Sequence, residues 1–124
     1  MIKLTFCLRR LPSLSRDEFQ RYWRERHAPL VARHAAVLRI RRYLQLHSLP
    51  DGDTVNAGLR ASRGGPEEYD GVAELWWQSL DDLAAATASD AGRRASIELL
   101  EDERRFIDLA RSPLWLGHEH TVIG

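Results

Sequence analysis

Residues 15–31 read SRDEFQRYWRERHAPLV, and the reading of this stretch sets how the rest of the chain is parsed. Ser15 followed three residues later by Glu18 is the pattern of a capping box, in which hydroxyl and carboxylate each satisfy an exposed backbone amide. Asp17 and Glu18 place negative charge in the first turn, where the helix dipole favours it. Phe19, Tyr22, Trp23, His27, Leu30 and His34 then recur at three- and four-residue steps, one stripe of a helix. Arg16, Gln20, Arg21, Arg24, Glu25 and Arg33 fall mostly elsewhere and form the solvated side. The pattern predicts a helix over residues 16–35, with a bend at His27-Ala28-Pro29, because proline removes an intrahelical bond.

Working outward, residues 2–9 alternate, with Ile2, Leu4, Phe6 and Leu8 on one side and Lys3, Thr5, Cys7 and Arg9 on the other, and predict a strand. Residues 37–48, VLRIRRYLQLHS, predict a second strand. Residues 49–70 are crowded with Gly, Pro, Asp and Asn and read as a long irregular segment, of a length that is usually functional or mobile. Residues 71–78, GVAELWWQ, predict a third strand. A second helix opens at Ser79 with Asp82, breaks near residues 89–92 and resumes through Ile97, Leu99, Leu100 and Glu103. A last extended stretch, LWLGHEHTVI, puts His118 and His120 on one face. The order βαββαβ implies a ferredoxin-like fold: a four-stranded antiparallel sheet with both helices on one face. Large apolar groups on both faces of the third and last strands (Trp76 against Trp77, Leu116 against Trp115) predict that the second face is buried too, by another copy of the same sheet.

At 124 residues the chain reads as one domain over 1–124, large enough to bury a core without disulfides or structural metal. Eighteen basic and eighteen acidic side chains cancel, so no global field favours nucleic acid or an anionic membrane as partner. No apolar run approaches the roughly 20 residues of a membrane helix. Cys7 is the only cysteine, which excludes an intramolecular disulfide and suits a reducing cytoplasm, the expected location.

The quoted residues then become recognisable. Arg9-Arg10-Leu11-Pro12-Ser13-Leu14-Ser15-Arg16-Asp17-Glu18-Phe19, with Tyr22-Trp23 and His27-Ala28-Pro29-Leu30-Val31, resembles the opening motif of the EthD domain family. The resemblance continues in Tyr69-Asp70-Gly71-Val72-Ala73-Glu74-Leu75-Trp76 and in Glu103-Arg104-Arg105-Phe106-Ile107-Asp108. It implies a dimeric α+β barrel, in which two ferredoxin-like sheets close face to face, in agreement with the homodimer expected from the apolar surplus. Relatives by fold or domain include decarboxylases, polyketide cyclases, cofactor-free monooxygenases and haem proteins, so fold alone does not fix function.

Individual residues carry the chemistry. His27 is either a hydrogen-bonded core imidazole or a general acid/base beside a pocket, since its pKa lies near working pH; the family motif centres on it. Glu74 lies inside an otherwise apolar strand and must be paired or have a raised pKa. It either pairs with Arg39, Arg41 or Arg42, or exchanges a proton with substrate. Phe6, Tyr22, Trp23, Tyr43, Trp76 and Trp77 are the candidate substrate-binding residues, with Trp23 the better wall because it stands four residues before His27. His118 and His120 alone are too few ligands for a metal site, and none is assigned. The expectation is a cofactor-independent enzyme acting on a small hydrophobic molecule, aromatic or polyketide-type, by cyclisation, decarboxylation, dehydration or oxidation. The alternatives are a non-catalytic binding or accessory dimer of a pathway, and a haem-binding barrel.

Overall fold

The computed structural model describes all of residues 1–124. Strands β1 (Ile2–Leu8), β2 (Arg42–His47), β3 (Gly71–Trp77) and β4 (Leu114–His118) form one antiparallel sheet in the order β2-β3-β1-β4. Helices α1 (Arg16–Tyr22), α2 (Ala28–His34), α4 (Leu80–Ala88) and α5 (Asp90–Glu103) make up the two crossovers, and α3 (Thr54–Arg63) lies between β2 and β3. This is the ferredoxin-like arrangement that the element order predicts.

The first crossover begins where the capping box puts it. Ser15 accepts from the Glu18 amide, and the Glu18 carboxylate accepts from the Ser15 amide. The irregularity comes just before Pro29. A single π turn over Trp23–His27 joins α1 to α2, with the Ala28 N–H reaching back to the Trp23 carbonyl. Pro29 offers no N–H to the Glu25 carbonyl and crowds it, and the extra residue in the turn absorbs the mismatch. The stripe stays buried through this change of pitch: Phe19, Trp23, His27, Leu30 and Val31 all face inward.

The core is a cluster of Phe6, Leu8, Phe19, Trp23, Ala73, Phe106 and Ile107. Phe19, Trp23 and Phe106 pack ring against ring, with Phe19 5.7 Å from Trp23 and 5.5 Å from Phe106. Each fully buried aromatic contributes roughly 1.5–3 kcal/mol. Gly71 lets the Trp23 indole lie against β3, for a Cβ there would strike both the ring and the Leu46 carbonyl. Register places Ile2, Leu4, Phe6 and Leu8 beside Trp77, Leu75, Ala73 and Gly71, all on the helix side. The other face is open. It carries Cys7, Val72 and Leu46 at one end, Thr5, Glu74, Leu44 and Trp115 across the middle, and Lys3, Trp76 and Arg42 at the other.

The sequence reading needs four corrections. The second strand starts at Arg42, because residues 36–39 close a turn in which Arg39 has a positive φ of 56°. The segment 49–70 contains α3, capped by Asp53 and ended by left-handed Gly64. It buries no residue: its apolar pair Val55 and Leu59, one turn apart, is exposed, and its cap and stop residues mark its ends. The last strand ends at His118, leaving His120 outside the ladder, and no group of His, Cys, Asp or Glu is placed to hold a metal. Glu74 pairs with Lys3 at 3.0 Å on the neighbouring strand, not with an arginine of β2. The break in the second crossover falls at Ser89, which ends α4 and caps α5. No helix is long and apolar enough to cross a membrane.

Candidate functional site

A narrow cavity of about 60 Å³ lies between the first crossover, α5 and the helix side of the sheet. Its wall is mostly apolar, including Phe6, Trp23, Leu75 and Ile107, and three groups with polar atoms join it: His27, Tyr43 and Glu103.

His27 is held from behind. Its Nδ1 lies 2.7 Å from Asp102 Oδ2, and both side chains are buried. Tyr22 Oη donates to Asp102 Oδ1 at 2.6 Å, and Arg105 donates to the same oxygen at 3.0 Å. Burial alone would raise the Asp102 pKa, but the bonds from Tyr22, His27 and Arg105 outweigh it and hold the carboxyl below the usual range. For His27 the balance runs the other way. Burial lowers its pKa, and the opposing pull of Asp102 does not restore it. An ionised Asp102 beside a neutral imidazole requires the Nδ1–H tautomer, with the lone pair on Nε2. Nε2 has no partner in the protein, and the ring that carries it lines the cavity.

Strand β2 supplies a second polar array. His47 donates through Nε2 to Gln45 Oε1 at 2.8 Å, while its Nδ1 is buried without a partner. That donation fixes the Gln45 amide, whose Nε2 gives hydrogen bonds to the Trp23 carbonyl at 3.0 Å and to Tyr43 Oη at 2.9 Å. The Tyr43 oxygen therefore accepts, and its own proton has no acceptor in the protein. Burial raises the Tyr43 pKa against the bonds from Gln45 and Trp23, keeping the phenol neutral. The His47 ring stacks 4.5 Å from Trp23 and is kept neutral by burial and by Arg24.

Glu103 completes the wall. Burial and then the charge of Asp102 raise its carboxyl to about 7. Glu103 is thus pushed toward its acid form while His27 is pushed toward its neutral form.

Of the residues singled out in the sequence, Phe6, Trp23, His27 and Tyr43 meet at this cavity. Tyr22 does not line it but bonds the far side of Asp102. Trp77 shares the helix side yet lies off the cavity, donating to the Leu38 carbonyl at 2.7 Å. Glu74 and Trp76 are on the opposite face: Trp76 sits between Lys3 and Arg42, whose cationic groups lie 4.9 and 4.8 Å from its ring. The sheet itself separates Glu74 from His27. Asp102 and Glu103 are the residues that the sequence reading missed. The signal of Asp102 was an acidic step in the stripe Ala95, Leu99, Asp102, Phe106 of α5 and the turn after it. At about 60 Å³ the cavity beside His27 is too narrow, as it stands, to admit a macrocycle of the size of haem.

Sheet order, crossovers and cavity together define a ferredoxin-like α+β domain with a histidine–aspartate pair set between its helices and its sheet. The chain belongs to the EthD domain family, whose domain matches residues 11–110. The fold is similar to that of an EthD family protein from Bacillus halodurans, at 17% identity and a TM-score of 0.61, covering 97% of this chain and 100% of that one. An EthD-like protein from Ralstonia eutropha matches at 19% identity and a TM-score of 0.60, over 94% and 88% of the two chains. A dimeric protein of ferredoxin-like fold from Bacteroides fragilis matches at 9% identity and a TM-score of 0.59, over 95% of each. At these identities the likeness concerns the fold. No curated protein matches the chain by sequence.

Proposed function

We propose that the protein is a cofactor-independent enzyme that uses His27 as general base and acid on a small hydrophobic molecule, aromatic or polyketide-type. The observation that carries this reading is the 2.7 Å bond from Asp102 to His27 Nδ1, which leaves a neutral Nε2 unpartnered at an apolar cavity. A positioned base of this kind contributes about 10²–10⁴-fold in rate. Cys7 belongs to the opposite face and neither Ser nor Lys lines the cavity, and the chemistry that His27 supplies there is proton transfer. The cavity admits only the reacting end of such a molecule as it stands.

The reading extends to a cytoplasmic homodimer. Leu44, Leu46 and Trp115 are exposed on the open face of the sheet, and a second copy laid on them would close the barrel. The dimeric neighbour of similar fold supports this. Sedimentation of the wild type as a dimer and of Leu46→Glu as a monomer is the expected result.

Function is tested by incubating the protein with small aromatic ketones, phenols and polyketide-type diketones and following conversion by mass spectrometry. Turnover by the wild type, lost in a folded His27→Ala variant, is the expected result. Turnover that survives in that variant overturns the role of His27. Binding without turnover favours an accessory dimer.

A further inference from the structure

Two polar residues of the cavity wall take no part in orienting His27. Tyr43 and Glu103 both line the cavity that His27 lines, and each brings a polar group to an otherwise apolar surface. The Tyr43 oxygen is already used as an acceptor of the Gln45 amide, itself fixed by His47, so what Tyr43 can offer a ligand is its proton. Glu103 makes no hydrogen bond or ion pair through its carboxyl group, and the nearest buried charge, Asp102, repels its ionised form. A buried carboxyl in that setting is held as an acid, and an acid is a donor. The cavity thus presents one lone pair and two O–H donors.

That set is complementary to one kind of molecule. A base removes a proton from carbon usefully only where the electron pair left behind has somewhere to go. Donors aimed at an oxygen supply that place, and in a water-poor cavity they act strongly. We propose that the site takes a carbonyl compound with a hydrogen on the adjacent carbon, and that Tyr43 and Glu103 are catalytic residues that hydrogen-bond its oxygen while His27 removes the proton. Nε2 takes the α-proton, and the C–H pair becomes the new C=C bond. The C=O π pair moves onto oxygen, which accepts from the phenol and the carboxyl, and return of a proton from Nε2 to carbon regenerates the ketone. No oxidant, reductant or second substrate is consumed. The carboxyl of Glu103, raised to about 7, and the lowered imidazole favour an acid donor and a neutral base together.

This inference rests on the proposed role of His27, and the experiment separates the two. Exchange of α-deuterium from 2-tetralone is followed by NMR at pH 6.5, and binding of 4-nitrophenol, a stable mimic of the enol oxygen, by its absorbance. The wild type is expected to catalyse exchange and to bind the phenol. Tyr43→Phe and Glu103→Gln should each lower exchange by about 10²-fold and weaken 4-nitrophenol binding by about tenfold. His27→Ala should abolish exchange while leaving phenol binding within about twofold, since the lost group is not a donor to that oxygen. Exchange that depends on His27 but not on Tyr43 or Glu103 overturns the donor wall and spares the base. Exchange indifferent to His27 overturns the base. A wild type that neither exchanges 2-tetralone nor binds 4-nitrophenol overturns the carbonyl class. Glu103→Gln also serves as the folding control, because removing a buried carboxyl should raise thermal stability at pH 8 even as exchange falls.

Discussion

Two buried aspartates, Asp70 and Asp102, have nearly the same surroundings on paper and opposite uses in the fold. Each is almost wholly buried, and each has its pKa held down by several donors that outweigh the cost of burial. Asp70 accepts from the Arg10 amide at 2.8 Å, the Arg10 guanidinium and Arg16 Nε at 3.0 Å. Its partners carry permanent charge, and they tie the start of β3 to the loop before α1. Arg16 extends the clasp to Glu68 and Asp51, pinning both ends of the 49–70 segment. Asp102 accepts instead from a phenol, an exposed arginine and an imidazole that can change its protonation state. A saturated ion pair has nothing left to transfer. A carboxylate that orients a neutral imidazole at a cavity does, and the identity of the partner decides between the two.

The largest expected effect on that contrast comes from removing the imidazole. His27→Ala should lower turnover by about 10²–10⁴-fold and leave the Asp70 clasp untouched, measured as rate together with unfolding in urea. Next, Asp70→Ala strands Arg10 and Arg16 and should cost about 3–5 kcal/mol of stability. The sign with pH follows from its lowered folded pKa: the clasp contributes fully above the unfolded carboxylate value and is lost as pH falls through the folded one. Chemical denaturation from pH 7 down to 3 should therefore show the wild type converging on the variant.

Asp102→Asn tests the other member. Loss of the ionic acceptor should cost about 1.5–3 kcal/mol, expressed as a tenfold to hundredfold loss of rate with a shifted pH profile, more than as loss of fold. Glu103→Gln should run the opposite way. Its folded pKa of about 7 lies above the ordinary carboxyl value, so the native carboxyl favours folding only at low pH and that contribution fades as pH rises to 7. The variant should be more stable than the wild type at pH 8 by on the order of 2 kcal/mol, discounted for partial exposure, and equal to it at pH 4, by calorimetry. Smallest, Arg105→Ala removes an exposed partner of Asp102 and should change the unfolding midpoint least of these variants, and less still at high salt.

The fold was legible because its signals are local. Alternation in residues 2–9 and 71–78, the Ser15–Glu18 box and the breaks at Ser89 are each readable from neighbours in sequence, and their order leaves one topology. Helix α3 escaped because its apolar step is short, Val55 to Leu59 within a segment crowded with Gly, Pro, Asp and Asn, and Asp53 and Gly64 were left to mark its ends. Half of the candidate site was legible for the same reason: Trp23 and His27 are one step apart on a stripe. The rest depends on contacts across 75 residues, such as His27 with Asp102, which spacing does not report. Glu74 was misplaced by a matter of parity. Alternation tells that neighbours in β3 face apart, but not which parity meets the helices, and Glu74 falls on the side away from them.

The role proposed for His27 needs Asp102 to hold it as a neutral base with its lone pair toward the cavity. The ¹⁵N chemical shifts of the His27 ring, followed with pH, test it most directly. The neutral Nδ1–H tautomer is expected at pH 7, titrating below the ordinary imidazole value, with Asp102→Asn disturbing both. A ring that is protonated at pH 7, or neutral with its proton on Nε2, would contradict it.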